Sequence, residues 1–125
     1  MKIRDIDTIL INSQSRKWTI VRVFTDEGIV GLGEATYSQK EPVVVAAINH
    51  IKEELIGEDP ARIEYLWHKI YRISSLSGIW RMSGPIWMSA MSGIDQALWD
   101  IKGKVANLPV FELLGGKFRD RVEVY

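Results

Sequence analysis

Two histidines, five tryptophans and no cysteine make up the scarcer chemistry of this 125-residue chain. His68 follows Glu64 by one helical turn, a spacing that lets both side chains face one metal ion. No third ligand is spaced to complete such a site, and the pair reads more simply as a solvated helix face. Asp5 and Asp7 fall on one side of a strand, where two carboxylates could hold a cation; an exposed strand flank is the simpler reading. Gly31-Leu32-Gly33 follows a strand as a dinucleotide loop would, but it lacks the third glycine and the immediate helix of that fingerprint. The run GGKFRDR from Gly115 offers backbone amides and cations to a phosphate, or is a linker with solvated charge. No serine is paired by motif with a histidine, so nucleophilic catalysis has no support. Without cysteine there are no disulfides, thiol nucleophiles or thiolate metal sites. No catalytic residue and no metal ligand can be assigned within the chain.

The tryptophans carry more. Trp67 and Trp99 fall within helical stripes and read as core or interface. Trp18, Trp80 and Trp87 lie at loop edges or at a helix start. Trp80 stands beside Arg81, Met82 and a glycine-proline break, a poor place to leave an indole in water. It covers a small satellite core, or it rests on another segment of polypeptide.

The elements that must position these residues follow from pattern. The length suits one domain that buries roughly two-thirds of its unfolded-chain surface. Lys+Arg and Asp+Glu are both 16, a balance that favours neither nucleic acid nor an acidic membrane surface. The longest apolar run, Val43 to Ile48, is too short to span a bilayer. Arg4, Asp5 and Asp7 interrupt the N-terminus where a secretory leader needs an unbroken apolar core, and a cytoplasmic location fits. KIRDIDTILI and KWTIVRVFT are strand-like; TDEG turns the chain into IVGLGEA. Three strands joined by local turns make an antiparallel meander. Within the second, Thr19, Val21 and Val23 point one way and Trp18, Ile20 and Phe24 the other.

Helices follow. Val44, Ile48, Ile51 and Leu55 recur at helical spacing, with Gly57 as a stop. Asp59-Pro60 predicts an N-cap and a first helical position ahead of Ile63, Leu66, Trp67 and Ile70. From Pro85 a third helix carries Met91, Ile94, Leu98, Ile101 and Val105 on one stripe, with Asp100 and Lys104 able to pair on the other. Asn107, Pro109 and Gly115-Gly116 end helical structure, and VEVY (122–125) begins to look like a strand. Strands first and helices after give an α+β domain.

GIDQALWDIKGKVANLPVFELLGG resembles the signature that closes the N-terminal domain in the mandelate racemase/muconate lactonising branch of the enolase superfamily. MKIRDI, TDEGIVGLGEA, LIGEDPARIEYLW and RMSGPIWMSAMSGIDQALWDIKGK agree in order, so the resemblance covers essentially the whole chain. SGIDQALWDIKGK and KWTIVRV most resemble acid-sugar dehydratases of the galactonate dehydratase type. The resemblance implies a capping domain over residues 1–116 and a linker over 117–125 that enters the first strand of a (β/α) barrel lying beyond Tyr125. It implies a lyase that removes the proton beside a substrate carboxylate with the help of Mg2+, both the base and the metal ligands lying in the barrel. Epimerase and cycloisomerase parents share that enolisation; a free-standing binding or assembly module is the reading from another class.

The resemblance further implies that loops of this domain close over the barrel mouth, exclude water and help to select the substrate. One loop maps around Ser15, Arg16, Lys17 and Trp18, a second spans Thr36 to Lys40, and the Trp80-Arg81 segment is a third. Lys17 or Arg81 would face the acid-sugar carboxylate, Ser38 its hydroxyls, and Trp18 or Trp80 would supply an apolar wall. The partners expected are a small-molecule acid sugar and the barrel, in a homo-oligomeric parent.

Overall fold

The computed structural model describes residues 1–12, 16–73 and 84–125. In chain order these form β1 (Ile3–Asn12), β2 (Lys17–Thr25), β3 (Val30–Glu34), α1 (Glu41–Leu55), α2 (Ile63–Ile73), α3 (Gly84–Ala106) and α4 (Val110–Leu113). The strands make one antiparallel sheet in the order β1-β2-β3. The helices cover one of its faces, so the α+β meander expected from the sequence is the fold.

Alternation along β2 sets the core side. Thr19, Val21, Val23 and Thr25 are buried, while Trp18, Ile20, Arg22 and Phe24 are half covered on the other face. A register shift between Ile3 and Asp5 changes the parity of β1, so that Ile3 and Ile6 both face the core. Thr25 closes the β2–β3 turn: its hydroxyl donates to Ile29 O at 2.9 Å and accepts from Ile29 N at 3.0 Å. Asp5 and Asp7 are not an open carboxylate flank. Arg22 grips Asp7 through two nitrogens, at 2.8 and 2.6 Å, and Lys52 of α1 pairs with Asp5 and holds its carboxyl below the usual aspartate range.

The apolar spacings bury as read. Val44, Ile48, Ile51 and Leu55 of α1, Ile63, Leu66 and Ile70 of α2, and Met91, Ile94, Leu98 and Ile101 of α3 form the core with the strands. Each large side chain buried there contributes about 1.5–3 kcal/mol. Two expectations need correction. Val105 is 57 % exposed, although it continues the apolar spacing of α3. Asp59-Pro60 closes a separate turn, in which Asp59 Oδ1 accepts from Ala61 N at 3.0 Å, and α2 starts only at Ile63. Residues 122–125 are exposed, with no described strand beside them.

The closest packing is helix on strand. Gly31, Gly33 and Gly93 let the α3 backbone lie directly against β3. A Cβ on Gly33 would strike Gly93 O, one on Gly31 would strike Ala97 O, and one on Gly93 would come within 2.7 Å of Ala35 Cβ. The GLG motif is therefore a close-packing device. α3 also dresses the free edge of β3. Gln96 accepts from Glu34 N at 3.1 Å and donates to Glu34 O at 3.2 Å; Asp100 accepts from Leu32 N at 2.9 Å; Lys104 donates to Val30 O at 2.6 Å. Four residues of helix rise about 6.0 Å and two of strand about 6.8 Å, so a side chain every helical turn meets every second strand residue. Asp100 and Lys104 also pair with each other at 2.6 Å, as their spacing predicts.

Among the described residues two buried polar atoms are left over, Thr19 Oγ1 and Trp87 Nε1. Thr19 is fully buried and, among the described residues, its hydroxyl has no hydrogen-bond partner. An orphaned buried hydroxyl is unfavourable and valine has the same shape. Thr19→Val is expected to raise stability by about 1 kcal/mol in urea unfolding; a loss of that size would show that the hydroxyl has a partner.

Candidate functional site

Two of the loops marked by the sequence are drawn to one end of the sheet by the β2 backbone. Lys17 pairs across the hairpin with Asn12, and Trp18 with Ile11. At the next residue the chain segment after β3 is tied in: Ala35 N donates to Thr19 O at 2.9 Å, and Thr19 N donates to the Thr36 hydroxyl at 3.0 Å. Beyond Thr36 a turn forms, with Lys40 N donating to Tyr37 O at 3.0 Å. Gln39 takes a left-handed φ of 64°, and its N–H is held at 3.0 Å by the side chain of Glu41, itself 5 % exposed. Ser38 is exposed on that turn.

The sequence candidates thus divide. Lys17 and Ser38 are exposed, Trp18 is half-buried, and all three belong to the two segments joined through Thr19. Among the described residues Lys17 has no ion-pair or hydrogen-bond partner. Trp80 and Arg81 lie outside the described residues. The three described candidates supply a cation, an indole and a hydroxyl, groups that hold and orient an anion rather than move a proton. Sequence reading set Thr36 in the second loop without its role, and missed Glu41. Thr36 clamps the second loop and Glu41 braces its turn; both depend on partners that no local motif declares.

The remaining candidates are structural. His68 is exposed, edge-on to Trp67 at 5.5 Å; Trp67 in turn stacks on Tyr71 at 5.4 Å. His50 is exposed beside Trp87 at 6.0 Å. Trp67, Trp87 and Trp99 are half-buried against the core. Lys117 lies 5.3 Å from the Phe111 ring and 3.8 Å from Asp120, on an exposed stretch.

A magnesium centre requires several converging oxygen ligands. Among the described residues no three Asp, Glu or His side chains are grouped to hold a metal. Asp5, Asp7 and Asp100 are each engaged by a cation. The described residues therefore do not fit a divalent cation, and no chemical step is drawn through one. No helix among the described residues is long and apolar enough to cross a membrane.

A concavity that the sequence did not disclose lies between α3, β3 and α4. It is a cleft of about 550 Å³ lined by Leu32, Asp95, Trp99, Val110 and Leu114, with Gln96, Asp100 and Lys104 at its β3 side. Burial first, and the like charge of Glu64 second, push the Asp95 carboxyl above the usual aspartate range. A signal was present: none of the positions three or four residues from Asp95 on α3 (Met91, Ser92, Leu98, Trp99) is basic.

Comparison with known proteins bears on the whole of this scaffold. D-galactonate dehydratase of Cronobacter sakazakii (strain ATCC BAA-894) is 50 % identical over 109 residues, which are 87 % of this chain and 27 % of that protein. A crystal structure of a Mesorhizobium loti protein superposes with a TM-score of 0.85 at 41 % identity, covering 96 % of this chain and 31 % of its own. The 3,6-anhydro-D-galactonate cycloisomerase from Zobellia galactanivorans gives 0.81 at 38 % identity, with 93 % and 32 % covered. The chain thus spans less than a third of the length of each of these relatives. Residues 2–115 match the family described as mandelate racemase / muconate lactonizing enzyme, N-terminal domain, and with its three-stranded meander and covering helices the chain belongs to that family of the enolase superfamily.

Proposed function

We propose that residues 1–116 are the capping domain of a longer, Mg2+-dependent acid-sugar dehydratase, and that residues 117–125 lead from the cap into its barrel. The observation that carries this reading is the 50 % identity with a D-galactonate dehydratase of which the chain spans 27 %. Deprotonation beside a carboxylate concentrates negative charge on the substrate, and the metal and base for it would come from residues outside this chain. The contribution of the cap is to enclose and select. In this reading Lys17, whose side chain has no ion pair among the described residues, would meet a carboxylate, Ser38 would hydrogen-bond hydroxyls and Trp18 would form an apolar wall; Trp80 and Arg81 are assigned the same wall-and-charge role on sequence alone. The clamp through Thr19 and Thr36 supports this reading by holding both loops at one end of the sheet. A second reading, the cap of a cycloisomerase, draws on the 38 % identity with the Zobellia enzyme.

The test is a chimera in which residues 1–116 replace the matching part of the Cronobacter dehydratase. Turnover of D-galactonate with Mg2+ is expected, and Lys17→Ala should raise KM about ten-fold, the weight of one charge-assisted contact. The 125-residue chain alone should turn over no sugar acid. A folded chimera without dehydratase activity, or turnover by the isolated chain, would overturn the proposal.

A further inference from the structure

The cleft between α3, β3 and α4 holds a group that the cap as described does not use. Its polar rim is already committed: Gln96, Asp100 and Lys104 bind the edge of β3. Asp95 is different. It is half-buried in the same lining as Trp99, Leu114, Val110 and Leu32, and among the described residues it has neither a hydrogen bond nor an ion pair. The charge acting on it from α2 is Glu64, of the same sign. Lys104, the one cation in the lining, is held by Asp100 at 2.6 Å and by Val30 O at 2.6 Å. β3, α4 and the residue that follows α4 contribute only apolar side chains, of which Leu32 is 51 % and Leu114 65 % exposed. A carboxylate without a partner on an apolar wall is unfavourable, and a cation with apolar flanks satisfies both features of the cleft at once.

We infer that this cleft is a docking site for a segment of the longer polypeptide outside residues 1–125, one that seats an arginine or lysine on Asp95 and packs its apolar neighbours between Trp99, Leu114 and Leu32. The inference rests on the capping reading and adds to it which face of the cap is covered and by what chemistry. Charge complementarity selects the cation. The relatives carry more than two-thirds of their length outside the matched region, and that remainder is the polypeptide available to cover the cleft.

The test reads Asp95 directly, by carbon-13 NMR titration of its carboxyl. In the 125-residue chain its midpoint is expected above the ordinary aspartate value of about 3.9. In the Cronobacter chimera it should fall below that value, a ten-fold or larger change in proton affinity, and a photo-cross-linker at position 114 should join a peptide bearing Arg or Lys from outside the matched region. Asp95→Asn gives an independent sign. A carboxyl whose folded-state pKa is raised favours folding when protonated and loses that contribution as pH rises, so the substitution should stabilise the isolated chain at pH 7. In the chimera, where the ion pair forms, the same substitution should destabilise. An ordinary or lowered midpoint in the isolated chain overturns the inference whether or not the chimera folds. An active chimera with an unshifted Asp95, or with cross-links only to a second copy, overturns it while leaving the capping role intact. An inactive chimera with a lowered midpoint and the expected cross-link upholds docking and removes the dehydratase reading.

Discussion

Gly33→Ala is expected to destabilise the chain by at least about 3 kcal/mol in urea unfolding, at the upper end of the usual cost of overpacking. The added methyl would strike Gly93 O and lie 3.0 Å from Ala97 N. Both obstacles are backbone, so no rotamer change relieves them. Relief requires α3 to lift from β3, and that movement breaks the contacts of Gln96, Asp100 and Lys104 with the strand. Gly31→Ala should behave alike, since its Cβ would strike Ala97 O and come within 2.7 Å of Ile101 Cγ1. Ser38→Ala, on an exposed turn, is the control and should stay within about 0.5 kcal/mol of the parent. A Gly33→Ala variant as stable as that control would mean that α3 does not sit on β3 as described.

The second large effect concerns the strand edge. Replacing Gln96, Asp100 and Lys104 together by alanine removes every α3 side chain that satisfies β3 backbone groups at residues 30, 32 and 34. Four hydrogen bonds, two of them to charged groups, are lost. Water replaces them in part, because these contacts are exposed, and the net cost is about 2–4 kcal/mol. The more diagnostic outcome is association. An uncovered edge presents unpaired N–H and C=O groups to any other strand. The triple variant should therefore form dimers or larger species whose fraction rises with concentration in analytical ultracentrifugation. A strictly monomeric variant with unchanged amide exchange at Leu32 and Glu34 would show that the edge does not depend on these side chains.

These two cases mark where reading the sequence stopped. Periodicity located Val44, Ile48, Ile51 and Leu55 as a buried stripe, because that burial depends only on which residues share a helix face. The Asp100–Lys104 pair was equally legible, being four residues apart on one helix. What it did not convey is that both side chains also reach β3, some seventy positions earlier, at |i−j| of 68 and 74. Gly31 and Gly33 drew attention for a nucleotide-loop spacing, yet their use is set by Gly93 and Ala97, and no local window contains all four. The candidate site divides in the same way. Lys17, Trp18 and Ser38 are recoverable as loop-flanking residues, whereas Thr36, which ties the two loops together, gains its role from Thr19 across the sheet. Asp95 went unremarked because an aspartate on a helix is ordinary; its interest lies in the absence, among the described residues, of an ion-pair partner for it.

Pairing Gln96, Asp100 and Lys104 with residues 34, 32 and 30 has a consequence for how this domain can change in length. Deleting one residue between 96 and 104 rotates the following part of the helix by about 100°, carrying Lys104 away from the strand. Deleting one from β3 turns its inward glycines outward. Indels are thereby excluded from both segments at once, whereas the exposed stretch after Gly116 carries no such register. Insertions and deletions among natural variants should gather after that glycine and be missing from the paired spans.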